Sequence, residues 1–527
     1  MTDQDHLRRI DALTQNARST WFALLAALVF VGITLMGVEH IDFYGVDRAT
    51  SLPLVNFEVP TRYFFVAAPV LTAAVYSYFH LNLIRLWDAL GAAPARVGGV
   101  RLGDAVSPWL VSDAALDVRA RYRKDNSTRR RALEGPATLL NLVIGWGFGL
   151  IVLAFLWHLS LPARSFAISV SAGTALVVSL IVGLASLTSM MTRMRHPEQV
   201  APVALRLAAG RYAVLALLTI AIGGLTYVRT EGETETLARL DLTGEALVVR
   251  PAGWLLYEDA KREFRADWCR REYFDGPCDT SAEQDAAYQF EFETRRAAAR
   301  SDMRRADWDT PGVASIDFRN ATLFNAFLVG ANLSGADLSQ ADMSFAQMEG
   351  ANFSGAQMTE TRLYKARMEQ ASLIQTTMDR AILGEANLMA TELIYTRLMG
   401  TRDRVTSLQG TDLRGSVMMG GMIRYVELSG ITFDEQTDFR NVFLDGSVSM
   451  TPELRAQMGY PCQWVDRELT DDAEYYGYWR GWVETAPAYI WPMLWEFVAP
   501  EPFRNVPAIA PPEGCMWHLE QMPAFTR

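Results

Sequence analysis

The residues best suited to covalent or metal chemistry are few and badly spaced for it. Six histidines are scattered over 527 residues, and a triad base would have to come from His40, His196 or His518. A GxxxxGKS/T phosphate loop, an HExxH zinc helix, a GxSxG nucleophile turn and a GxGxxG dinucleotide turn are all absent from the sequence. Carboxylates are plentiful, but no pair sits where its surroundings would push two pKa values apart, as acid–base catalysis requires. No enzyme activity, cofactor or metal is therefore expected. The four cysteines, Cys269, Cys278, Cys462 and Cys515, include no CxxC pair, and only His518 follows them among the histidines. In an oxidising compartment four cysteines allow three disulfide pairings. Cys269 with Cys278 and Cys462 with Cys515 is the preferred arrangement, because each bond would pin one irregular segment.

The elements that would position any site begin with five apolar stretches, approximately Trp21–Val38, Tyr63–Ile84, Ala137–Leu159, Ala167–Met191 and Tyr212–Val228. Each approaches or exceeds the roughly 20 residues that cross a bilayer as a helix. None has Asp, Glu, Lys or Arg in its interior. Residues 1–20 are a polar N-terminal segment, and 21–228 reads as a membrane region. Its loop 85–136 carries ten Lys or Arg, whereas 39–61 has one Arg against four acids. The positive-inside rule then makes the N-terminus and the basic loop cytoplasmic. Five crossings place the chain beyond Val228 on the opposite side, the periplasmic side of a bacterial inner membrane. His80 and His158 fall at span ends and read as interfacial. Gly145 and Gly149, at GxxxG spacing, permit close helix contact within the chain or between copies.

From Ile316 to Glu435 a five-residue frame persists for twenty-four units, among them ANLSG, ADLSQ, ADMSF and ANFSG. The third position is Leu, Met, Phe or Ile in every unit except TRDRV, where it is Asp403. A period of five suits neither a helix face nor a strand and signals a solenoid. The pattern resembles the pentapeptide-repeat family, whose consensus is A(D/N)LXX. The resemblance implies a right-handed quadrilateral β-helix with four units per coil. Leu333, Leu338, Met343 and Phe353 would then fill its interior. Six coils at about 4.8 Å each would make a rod of roughly 29 Å. One extra residue between Phe433 and Phe439 reads as the end of the regular helix.

Counting in steps of twenty gathers units 321, 341, 361, 381, 401 and 421 on one face. Its outward positions include Phe345, Arg362, Tyr364, Lys365, Arg402, Arg404, Arg424 and Tyr425. Five of the ten basic residues in the repeat fall there, and cations interleaved with aromatics suit a binding surface. The equally open alternative is a face charged merely for solubility.

The remaining segments read as flanks. Residues 229–315 form a linker and a helical cap, with Ser281 and Gln284 at capping-box spacing. The β-helix occupies 316–446, and 447–527 is an aromatic-rich region expected to pack on the solenoid, with a place at the membrane interface as the alternative. The fold class is thus a membrane α-helical bundle followed by a pentapeptide-repeat solenoid with irregular capping segments. As a function, this predicts a membrane-anchored scaffold for an unidentified protein partner, with the lipid bilayer as its second partner and homo-oligomerisation open. An oligomeric pore or transport-associated protein is the alternative. A DNA-mimic topoisomerase inhibitor, a role known in the family, is disfavoured. The units carry fourteen acids against ten bases, only −4 net, and nucleic acid is not an expected partner.

Overall fold

A computed structural model describes residues 3–46, 49–52, 57–128, 139–140, 142–195, 204–230, 239–272, 281–303, 316–458, 467–486, 499–511 and 517. Cys278, Cys462 and Cys515 lie outside the described residues, so neither expected disulfide pair is described in full. His196, His518 and nearly all of the apolar segment 488–499 lie outside them too. The chain divides into two compact units, Met1–Phe43 with Arg48–Ala238 and Tyr44–Asp47 with Arg239–Arg527.

The first unit is helical: α1 (Asp3–Leu35), α2 (Thr61–Ala92), α3 (Leu110–Arg123), α4 (Phe148–Ser160), α5 (Phe166–Arg195) and α6 (Ala204–Thr230). Five helical stretches are long and apolar enough to cross a membrane: Asp3–Leu35, Thr61–Ala92, Val143–Ala163, Phe166–Arg195 and Tyr212–Thr230. The polar N-terminal segment is the first half of α1. Buried Ile10, Thr14 and Ala17 continue at helical spacing into Leu24, Leu28 and Val31. Asp3 accepts from the Gly98 amide at 3.2 Å, and Asp11 accepts from the Ser107 hydroxyl at 3.1 Å.

Tyr76 of α2 is the wedge of this unit. A Cβ on Gly149 or Gly183 would lie 2.5 or 2.6 Å from its side chain, so both glycines are notches that admit the ring. Its hydroxyl donates to the Trp146 carbonyl at 3.0 Å, inside a π-helical turn, Val143–Gly147. Gly149 of the GxxxG pair therefore serves packing within the chain. His80, expected near an interface, is instead fully buried, its ring 4.2 Å from Tyr76 and 5.6 Å from Trp146. The reason is that α2 extends twelve residues beyond it.

Two arginines of the basic loop cap helices. Arg119 Nη1 donates to Leu90 O at 2.6 Å, and Arg123 donates to Gly91 O at 3.0 Å and Met194 O at 2.8 Å. These are C-terminal carbonyls of α2 and α5, which lack partners within their own helices and attract cations.

The second unit is built on twenty-residue coils. Parallel bridges join second positions of successive coils, as in Asp317↔Asp337, Asn332↔Asn352 and Thr377↔Arg397. First and third positions point inward and are almost wholly buried, for example Ala351 with Phe353 and Ala366 with Met368. Where Thr replaces Ala, its hydroxyl donates to a carbonyl of the preceding coil, as from Thr361 to Leu338 O at 2.8 Å and from Thr376 to Phe353 O at 2.9 Å. The Asp or Asn at position two accepts from the amide two residues on, as Asp337 does from Ser339 at 3.0 Å. That Asx turn helps fold each corner. Fifth positions from Asn320 to Tyr395 take positive φ whether glycine or not, as Gly335 at 66° and Phe345 at 61° do.

The regular step first breaks by a whole unit. All five residues of Thr401–Val405 are exposed. Bridges above this point advance by twenty, but those across it advance by twenty-five, as in Asn387↔Asp412 and Glu392↔Val417. The TRDRV unit is thus an inserted bulge, closed by the Thr401↔Arg404 bridge. Asp403 at its centre could not enter the apolar interior.

Coils also extend beyond the expected limits. Strands Met422–Arg424 and Phe443–Leu444 pair in parallel across the extra residue near 435, and Glu427 bridges Ser449. At the other end Asp241 and Ala246 bridge Thr322 and Phe327, with Leu240, Leu242 and Leu247 buried. LDLTG and EALVV, inside the expected linker, form two units that cover the first edge.

Next in the chain come helices α7 (Tyr257–Glu272) and α8 (Ala282–Ser301), and α8 begins with the expected Ser281–Gln284 capping box. Instead of closing the open end, α8 lies along a side wall. Glu293 pairs with Gln370, Arg296 with Glu349, and Arg300 meets both Glu349 and Gly350. At the far end α9 (Asp472–Val483) packs Tyr475, Tyr476, Trp479 and Trp482 against Ile394, Met399, Met422 and Phe443. The described aromatics of the C-terminal region are therefore solenoid-packing residues.

Candidate functional site

Coil geometry decides which outward side chains are neighbours. Position four or five on one wall lies one strand spacing from its equivalent in the next coil. Phe324, Phe345 and Tyr364 form such a column, with ring centroids 5.3 Å and then 5.8 Å apart. Ile382, in the next coil of the same wall, stands beside the column at position two, where it bridges Arg362. Among the described residues of the repeat, the exposed large apolar side chains are Phe324, Phe345, Tyr364, Ile382 and Val405. Four of the five are consecutive rungs of one wall, and the fifth sits on the adjoining bulge.

Cations border the ladder as expected. Lys365 Nζ lies 5.1 Å from the Tyr364 ring centroid and 5.9 Å from that of Phe345. It also pairs with Glu385 at 3.2 Å, and Tyr364 donates to the same carboxylate at 2.8 Å. The hydrogen bond from Tyr364 and the Lys365 ammonium hold Glu385 below the usual carboxylate range. Arg362 stands 3.9 Å from Asp342. The wall thus presents an apolar column edged by matched charges.

The other half of the expected face lies elsewhere. Because Thr401–Val405 loops out, units 406 and 426 continue the ladder wall, while unit 421 stacks under 396, with Met399 opposite Arg424. Arg424 is 1% exposed. It donates to Asp445 at 3.2 Å and to Leu469 O at 2.9 Å, and pairs with Asp472. That burial removes it from any docking face. Arg402 and Tyr425 converge on Glu468 at 2.6 and 2.9 Å, and Arg404 belongs to the bulge. Phe345, Arg362, Tyr364 and Lys365 therefore form one patch, and Arg402, Arg424 and Tyr425 border a different surface near α9. Phe324 and Ile382 are ladder residues outside the expected set of positions, although the same count by twenty reaches them.

Of the four cysteines only Cys269 is among the described residues, on α7. Among the described residues no group of three or more His, Cys, Asp or Glu side chains is arranged to hold a metal.

Residues 316–355 match the family of pentapeptide repeats, in eight copies. Among solved structures, the pentapeptide repeat protein Rfr23 from the cyanobacterium Cyanothece 51142 is 23% identical, the match covering 22% of this chain and 90% of that one at a TM-score of 0.21. HetL, a pentapeptide repeat protein involved in heterocyst differentiation regulation from the cyanobacterium Nostoc sp. strain PCC 7120, is 18% identical over 34% of this chain and 92% of its own, at a TM-score of 0.11. Full-length QnrB1, a plasmid-mediated fluoroquinolone resistance protein, is 15% identical over 27% and 81%, at a TM-score of 0.13. No curated protein matches the chain.

Proposed function

We propose, from the premise that this chain carries a pentapeptide-repeat domain, that it is a membrane-anchored, non-enzymatic scaffold whose repeat docks a protein partner along the Phe324–Ile382 ladder. The observation that carries this reading is the confinement of the exposed large apolar side chains of the repeat to that wall and its bulge. Scattered apolar residues are ordinary on a protein surface, but a contiguous patch marks an interaction site. A rigid ladder also loses little conformational entropy on binding, and aromatic side chains are enriched at binding hot spots.

The five apolar helices support anchoring in a bacterial inner membrane. Loop charge supports a cytoplasmic N-terminus and a periplasmic repeat, where Cys269–Cys278 and Cys462–Cys515 disulfides would form. A near-balanced repeat surface disfavours mimicry of DNA. A pore formed by several copies is the second reading; the uncharged interiors of the spans weigh against an ion pathway and leave a hydrophobic pore as its form.

The test is site-specific photocrosslinking in intact cells, with the probe amino acid at Phe345 and, as control, at Gln357, an exposed position on a different wall. A scaffold of this kind yields a discrete protein adduct at Phe345, absent at Gln357 and lost on Tyr364→Ser. Equal adducts at both positions, or none at Phe345, would discard the ladder as the docking surface.

A further inference from the structure

Beside α9 lies a cavity of about 450 Å³, within the size range of small-molecule sites. Its walls come from three coils, the start of α9 and the segment around Phe503. Its polar lining is unusual in being charged yet internally matched. Arg397 donates to Asp379 in a two-point pair, its Nε at 3.0 Å, with both side chains largely buried. Arg424 is held by Asp445 and Asp472, Arg402 by Glu468, and Arg380 by Glu360 at 2.9 Å. Each of the four guanidinium groups lining the cavity therefore already has its carboxylate.

That matching selects the ligand. An anion entering the cavity would gain the arginines but meet the carboxylates, and a cation would meet the reverse. Asp471, the lining carboxylate that caps α9 rather than meeting an arginine, is exposed. At the buried pairs neither kind of ion can be held without breaking a pair, which leaves a charge uncompensated. A neutral polyhydroxylated molecule faces no such conflict. A guanidinium carries five N–H groups and a carboxylate about four acceptor directions, more than their mutual pairing consumes. Hydroxyls both accept and donate, so they can join the network without dismantling it, and bonds to charged groups are the strong ones.

The remaining wall is aromatic. Tyr476 and Phe503 are stacked, with centroids 4.8 Å apart and planes 12° from parallel, and Tyr425 stands at the rim, its hydroxyl on Glu468. A ring with an apolar C–H face and a hydroxyl edge matches this combination of aromatic and charged walls. We infer that the cavity is a binding site for a neutral saccharide, either a free sugar or the end residue of a glycan chain. This site is separate from the ladder and does not depend on the scaffold reading.

The experiment is isothermal titration calorimetry on the full chain in lipid nanodiscs, avoiding sugar-headed detergents. Glucose, galactose, N-acetylglucosamine and their linear oligosaccharides are titrated, alongside inorganic phosphate and free lysine. The expected result is one-to-one binding of at least one neutral saccharide and none of phosphate or lysine. Tighter binding of the monosaccharide indicates a free sugar, and tighter binding of the oligomer a chain end. Phe503→Ala should weaken binding about tenfold at a temperature well below its melting point, which falls somewhat with the lost stack on Tyr476, and Phe503→Tyr should restore both. Arg402→Gln, at the exposed rim, provides a second variant that leaves the buried pairs intact. Absence of saccharide heat up to about 10 mM, uptake of phosphate or lysine instead, or full binding by both Phe503→Ala and Arg402→Gln would overturn the assignment.

Discussion

Glu369 offers the most direct check on the side-wall arrangement. It is 2% exposed and one coil from Glu349, with Asn387 donating to its Oε1 at 2.9 Å. Burial, with the Glu349 charge adding to it, lifts its carboxyl from 4.5 to about 7. The folded protein therefore keeps a proton that the unfolded chain releases above 4.5. Stability from this group is fully present below that value and is lost as pH rises through about 7. Each tenfold of acidity is worth about 1.4 kcal/mol, so the loss amounts to about 3 kcal/mol by pH 8. Glu369→Gln keeps the acceptor for Asn387 and never ionises. At pH 8 the variant should exceed wild type by about 3 kcal/mol, or about 6 to 12 °C in melting temperature for a unit of this size. By pH 4 the two should coincide. Thermal unfolding of the full chain in detergent, followed through the β signal across this pH range, measures the difference. Parallel curves for the two proteins from pH 4 to 8 would refute the claim that Glu369 is buried and desolvated.

Three further outcomes rest on particular contacts. Deleting Thr401–Val405 restores the twenty-residue step and removes only exposed residues and the Arg402–Glu468 pair. The truncated chain should fold with a loss of no more than about 1 kcal/mol, read by melting temperature. Glu349→Gln strips the carboxylate from largely buried Arg296 and Arg300, which should cost about 3–5 kcal/mol and raise hydrogen exchange in α8. Gly149→Ala places a Cβ about 2.5 Å from the Tyr76 ring and should destabilise the helical unit by about 1–3 kcal/mol, seen as a lower helical melting temperature.

The inserted bulge shows how far a sequence pattern carries and where it stops. Asp403 is the only charged third position among the twenty-four units, and that anomaly is the written sign of the insertion. Its consequence is not local. One looped-out unit shifts the later coils by a quarter turn, taking Arg424 from the ladder wall into a buried network with Asp445 and Asp472. The LDLTG and EALVV units are equally visible in composition. They are separated from the main array by two helices and their connections, so no run of consecutive units announces them.

The five apolar stretches and the pentapeptide frame are legible in the sequence by itself, because both express a repeated local requirement. A long helix in an apolar environment needs apolar residues throughout its length, and each coil wall needs a small residue and a large one at fixed positions. Most ends of those elements also lie near their expected places. What the tertiary structure alone decided is which distant residues meet: Tyr76 against Gly149 and Gly183, α8 along a side wall, and Phe324 in line with Phe345 and Tyr364. Those contacts depend on register between coils and helices, and a single inserted unit changes the register without changing any local rule.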